Sequence, residues 1–125
     1  MIYGIGHDLL KVSNIEQAVS DPSDPFVRNI YTDRELALIQ SRPIPLYSYA
    51  TRFSGKEAVF KCLNLHGDAI RLNEIEILEN ENGQPFVILH GRAKTAAIEK
   101  GIVQVHISLS YDTDYASSTA IAEIP

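Results

Sequence analysis

The sequence predicts an α+β fold, an antiparallel sheet packed on one long helix and several short ones. Three stretches carry that prediction. A helical period runs from about Leu46 to Asn64. Asn82-Gly83 sits between the apolar runs "IEIL" and "PFVIL", a strong hairpin signal. Val103 to Ser110 alternates strictly, with Val103, Val105, Ile107 and Leu109 facing one way and Gln104, His106, Ser108 and Ser110 the other.

Residues 2 to 7 read as a short strand, and Asp8 falls just past it. "SNIE" (Ser13 to Glu16) has capping-box spacing and opens a short helix carrying Ile15, Ala18 and Val19. "DPSDP" (Asp21 to Pro25) stops that helix. "TDRE" (Thr32 to Glu35) is a second capping box, opening a helix with Leu36 and Ile39 that "RPIP" ends. The long helix follows, closed by "HGD". Gly55 inside it costs roughly 1 kcal/mol relative to alanine. Either another backbone or a ligand approaches closely there, or the helix tolerates it. After the hairpin, "RAKTAAIEKG" is a short alanine-rich helix ended by Gly101. "YDTD" then turns the alternating strand back into a partner, Tyr115 to Ile124.

At 125 residues the chain suits one domain, spanning residues 1–125. Apolar content of 45% and charged content of 22% are ordinary globular values, which exclude disorder. No apolar run is long enough to span a bilayer, and no basic region precedes the first apolar residues, so no membrane partner and no secretory leader is expected. A lone Cys62 allows no internal disulfide and reads as a packing residue. These features point to a soluble cytoplasmic protein. A net charge of −5 disfavours nucleic acid as a partner.

Three places hold polar groups where a simple core would not. Asp8 follows a glycine-bearing strand; the plain reading is a turn or cap residue. Glu57 shares a stripe with Leu46, Ala50, Phe53 and Phe60, at the spacing of a buried face. A carboxylate there loses hydration, a cost that needs a compensating partner. Either an ion pair with Lys56 or Lys61 rescues it, or a metal does. The third place is the polar strand face of His106, Ser108 and Ser110, whose plain reading is a solvated surface. Two carboxylates from distant segments, with lysines beside one, also suit magnesium on a diphosphate.

"GIGHD", "RFSGKEAVFK", "ENGQPF" and "HISLSYD" occur in that order over nearly the whole chain. In this the sequence resembles the holo-(acyl-carrier-protein) synthases, the small 4′-phosphopantetheinyl transferases. The resemblance implies their fold. It also implies transfer of 4′-phosphopantetheine from coenzyme A to a serine of an acyl carrier protein, leaving adenosine 3′,5′-bisphosphate. Magnesium would be the cofactor, and a homotrimer with the active site between subunits the assembly. By position, Asp8 and Glu57 match the metal-binding carboxylates, and Lys61 the lysine near the reacting phosphates. Arg52, Lys56, His106 and Ser108 fall where the family lines its coenzyme A site. Glu57 and Asp8 both remain as general base. His7, Tyr111 and Asn14 depart from common family residues, Asn14 standing where members often carry a basic residue that docks the carrier. A non-catalytic module binding coenzyme A or a carrier protein is the rival reading.

Overall fold

The computed structural model describes all of residues 1–125. In chain order the elements are β1 (Ile2–Lys11), α1 (Ser13–Glu16), α2 (Pro25–Ile30), α3 (Asp33–Gln40), α4 (Pro45–Cys62), β2 (Ile75–Glu79), β3 (Pro85–Leu89), α5 (Gly91–Glu99), β4 (Gln104–Tyr111) and β5 (Tyr115–Glu123). The α+β expectation holds, with two antiparallel sheets in place of one. A three-stranded sheet has the order β1-β5-β4, and the hairpin β2-β3 stands apart as a second sheet. A cleft of about 410 Å³ opens between the two, lined by Asn80, Gln84, Pro85 and Phe86 on one side and Gln104 to Ile107 on the other. No helix is long and apolar enough to cross a membrane.

The 18-residue α4 is the axis of the molecule. One apolar cluster gathers around its C-terminal half, with Ala58, Val59, Cys62 and Leu63 meeting Ile75, Ile77, Val105 and Ala120. A second gathers around its N-terminal half, where Tyr49 and Ala50 meet Val12, Ile15, Val27, Ile30 and Ile39. The helix is therefore enclosed on most sides, and the predicted stripe is its flank. Of that stripe only Ala50 is fully buried; Leu46, Phe53, Glu57 and Phe60 are half-buried. Cys62 has no exposure, and burial pushes its thiol up to about 12, so it packs and does not react.

Several local expectations hold. Thr32 and Glu35 form the reciprocal capping box at α3. Gly83 takes a positive φ of 79° in the hairpin turn and Gly101 one of 74° after α5. Others are corrected. The first strand runs on to Lys11, so Asp8 lies inside it, opposite Ser118. Ser13 does not cap α1. The Val12 N–H donates to the Asp114 carbonyl at 2.8 Å and its side chain is buried, which makes Val12 the N-cap and draws Ser13 into the helix. "DPSDP" does not only stop a helix. Asp24 accepts from the Phe26 N–H at 2.8 Å with Pro25 next to it, and this starts α2, which the sequence reading did not foresee.

Candidate active site

Two glycines bring the site together. A Cβ on Gly4 would land on the carbonyl oxygen of Cys62, and one on Gly6 on the carbonyl of Ala58. The strand β1 thus lies with its backbone directly against α4, closer than any side chain would permit. Two residues beyond Gly6, on the same face, Asp8 meets the middle of the helix. Its carbonyl accepts from the Ser54 hydroxyl at 3.3 Å.

Lys61 closes the contact. Its Nζ donates to the His7 carbonyl at 2.9 Å and to Asp8 Oδ1 at 3.3 Å. The lysine remains half exposed while Asp8 is 16% exposed. Glu57 lies one turn back on α4, close enough to Asp8 for their charges to interact. Burial first, and then the charge of Asp8, push its carboxyl above the usual range, and Lys61 only partly opposes them. The ion pair that would have rescued Glu57 is not made. Lys61 pairs with Asp8, and Lys56 pairs with Glu35. Two neighbouring carboxylates with one lysine, paired to Asp8, leave a negative charge uncompensated. That is the donor set of a hard divalent cation, which takes one or two carboxylates and fills its other positions with waters and phosphate oxygens. No third acidic, histidine or cysteine side chain joins the pair. The residues present fit magnesium.

Lys56 is a correction. It was expected along the coenzyme A site, but it is fully buried and its ammonium is satisfied inside the protein. Nζ donates to Glu35 Oε1 at 2.6 Å, to the Leu72 carbonyl at 3.1 Å and to the Ile75 carbonyl. It has no donor left for a phosphate. Arg52, one turn earlier, also points into the protein. It is 4% exposed and pairs with Glu79 at 3.1 Å, a carboxylate it shares with Arg42. Its Nε is buried without a partner.

His106 and Ser108 are exposed on β4, the opposite edge of the sheet from β1. Ser108 shares a row with Thr119 and His7, on the face turned away from α4. Two strand spacings, roughly 10 Å, and the thickness of the sheet separate them from Asp8. One chain therefore unites Asp8, Glu57 and Lys61 but not His106 or Ser108. His106 instead lines the cleft beside Phe86, with its Nε2 2.8 Å from Glu123. Neither Phe86 nor the glycine contact of β1 figured among the sequence candidates, although "GIG" carried the signal for the second. Asn14 is exposed on α1, beside the equally exposed Lys11 and Glu16.

Known proteins align with this arrangement along the whole chain. A holo-(acyl-carrier-protein) synthase of Caldanaerobacter subterraneus subsp. tengcongensis is 36% identical over 118 residues, covering 94% of this chain and 92% of that protein. The crystal structure of the holo-(acyl-carrier-protein) synthase from Neisseria meningitidis superposes with a TM-score of 0.87 at 29% identity, over 98% of this chain and 99% of that one. The holo-(acyl-carrier-protein) synthase of Bacillus anthracis, solved in complex with coenzyme A (3′,5′-ADP), superposes with a TM-score of 0.81 at 25% identity, over 100% and 99% of the two chains. The sequence profile of the 4′-phosphopantetheinyl transferase superfamily matches residues 4–120. The chain belongs to the 4′-phosphopantetheinyl transferase superfamily.

Proposed function

We propose that this protein transfers the 4′-phosphopantetheine group of coenzyme A to a serine of an acyl carrier protein. The observation that carries the reading is the half-buried Glu57, facing Asp8 with neither lysine paired to it. Family membership and the coenzyme A complex of the Bacillus anthracis relative support the same conclusion.

Asp8 and Glu57 would hold magnesium, which when bound would neutralise charge on the diphosphate. The carrier serine Oγ attacks the β-phosphorus, and the bond from that phosphorus to the bridging oxygen breaks. Adenosine 3′,5′-bisphosphate leaves. Lys61, half exposed and oriented by the His7 carbonyl, offers its remaining N–H to a phosphate oxygen that gains charge during transfer. The serine proton passes to one of the two carboxylates, Glu57 or Asp8, directly or through a water.

His106 and Ser108 complete the coenzyme A site from a neighbouring copy, in a homotrimer. Their place on the far edge of the sheet supports this. So does the outer sheet face, where Ile5 is 63%, Leu9 64% and Tyr115 44% exposed. A cytoplasmic setting fits the single, unreactive cysteine.

The direct test is mass spectrometry of an apo acyl carrier protein incubated with this protein, coenzyme A and magnesium. The carrier should gain one phosphopantetheine group, and chelation should stop the gain. Binding of coenzyme A without any mass gain on several carriers would leave a non-catalytic module in its place.

A further inference from the structure

Helix α4 carries two pairs of functional side chains on different sides. Arg52 and Lys56 are one turn apart, and so are Glu57 and Lys61. The second pair lies five residues on from the first, roughly 140° around the helix. Its side faces β1 and Asp8. The first side faces β2, where Glu79 takes Arg52 and the Ile75 carbonyl takes Lys56.

We infer that the buried Lys56–Glu35 pair is the positioning device of the active site, fixing the rotation of α4 so that Glu57 faces Asp8. The inference rests on reading Asp8 and Glu57 as a metal-holding pair. Three observations support it. First, both charges are fully buried, at 0% side-chain exposure, and both are satisfied. Lys56 has its three acceptors. Glu35 Oε1 also accepts from the Thr32 N–H at 2.9 Å, and Oε2 accepts from the Ile77 N–H at 2.8 Å. Three directional bonds thus tie α4 to the start of α3, to the turn before β2 and to β2 itself, and two more hold Glu35 in place. Second, a buried ion pair contributes little net stability compared with apolar residues of similar volume, so stability alone does not account for it. Third, the other polar contacts of α4 are longer or more exposed: Ser54 reaches the Asp8 carbonyl at 3.3 Å, Lys61 is half exposed, and Arg52 meets Glu79 at 3.1 Å with its Nε unpartnered. Gly4, Gly6 and Gly55 add close packing but no directional bond from a side chain.

The lever is large. A 20° rotation of α4 would move Lys56 Nζ by roughly 3 Å, breaking its bonds, and the Glu57 carboxylate by roughly 2 Å. Displacements of 1 Å at a reacting centre cost on the order of 10²-fold in rate.

The test uses Glu35→Gln/Lys56→Met, which removes both charges and keeps the volume, with Glu35→Gln alone as a harsher variant that leaves the Lys56 ammonium buried without its counter-charge. Three quantities are read well below the melting temperature: the Mn²⁺ dissociation constant by electron paramagnetic resonance without substrate, kcat, and KM for coenzyme A. The double variant should bind Mn²⁺ about tenfold more weakly and lose about 10²-fold in kcat, with KM changed less than about threefold. Glu35→Gln should lose at least as much as the double variant. A folded double variant with wild-type Mn²⁺ affinity and kcat overturns the inference. A raised KM with unchanged kcat also overturns it, and returns Lys56 to direct coenzyme A contact. If neither variant shows a cooperative unfolding transition, the pair is a folding requirement and the positioning role is wrong. Failure of the wild type itself to bind Mn²⁺ would instead strike the metal reading beneath it.

Discussion

Glu57 sits where its charge costs the folded protein stability, and the proposed metal role would give that cost a purpose. Its carboxyl is raised by burial and by Asp8, so its ionised form is disfavoured in the folded protein. For an acid raised in this way, the stability cost is present above the folded value and relieved as pH falls through it. Glu57→Gln keeps the shape and removes the charge. Without metal, its melting temperature at pH 8 should equal or exceed that of the wild type, while transfer drops by at least about 10²-fold. Thermal denaturation in chelator, alongside the carrier assay, checks both halves. Near wild-type transfer by Glu57→Gln would remove the metal role. The sequence could pose the choice for Glu57 between an ion pair and a metal but could not settle it. The fact that removes Lys56 as the ion-pair partner is that it pairs with Glu35, which lies 21 residues away on another helix.

At the scale of elements, the approach of β1 to α4 decides whether a site forms at all. Gly6→Ala would drive a Cβ into the Ala58 carbonyl, a backbone atom that cannot step aside. About 3 kcal/mol of destabilisation is expected from such overpacking. Gly55→Ala meets only side-chain tips, Ile77 Cδ1 at 2.7 Å and Leu109 Cδ2 at 2.9 Å. The gain in helix propensity offsets much of that strain, so it should stay within about 1 kcal/mol of wild type. Urea unfolding of the two variants measures the contrast, and equal losses would refute the backbone-contact account. The hairpin and α3 were legible because Asn82-Gly83 and the Thr32–Glu35 box act within a few residues. The run of β1 through Asp8 was not, because its pairing needs β5, more than a hundred residues on.

Acid should loosen the same framework where α3 meets β2. Burial alone would raise the Glu76 carboxyl, but hydrogen bonds from Arg34, Thr32 and His90 outweigh it and hold the group at about 2, from a usual 4.5. Because the folded value is depressed, this stabilisation is present above about pH 4.5 and is lost as pH falls towards 2. It amounts to at most roughly 3 kcal/mol, since Arg34 is itself solvent-exposed. Glu76→Gln should therefore flatten the acid side of the stability profile, measured by urea unfolding from pH 5 to pH 2.5. A profile as steep as that of the wild type would show that other carboxylates set the acid limit.

The whole molecule is divided between two edges of one sheet. Asp8, Glu57 and Lys61 gather at the β1 edge, while His106 and Ser108 stand on β4, on the opposite face. Periodicity gave the sequence both faces of β4, but it carried no record of which strand would lie between β4 and β1. Two variants, each expected to be inactive, can test whether the edges meet across subunits. Asp8→Ala removes the proposed metal ligand at one edge, and His106→Ala removes the proposed coenzyme A contact at the other. If each site lies within a single chain, a mixture of the two contains no intact site and stays as inactive as its parts. If each site takes one edge from each of two neighbours in a cyclic trimer, random reassembly restores some sites. A site is intact when the chain giving Asp8 is the His106→Ala variant and the chain giving His106 is the Asp8→Ala variant. For an equal mixture, that is about a quarter of all sites. The variants would be mixed, dissociated at low protein concentration or in mild urea, reassembled, and assayed for carrier modification beside each variant treated alone. Recovery near a quarter of wild-type activity establishes a shared site. No recovery from a mixture that sedimentation velocity shows to have exchanged subunits would place every catalytic group within one chain.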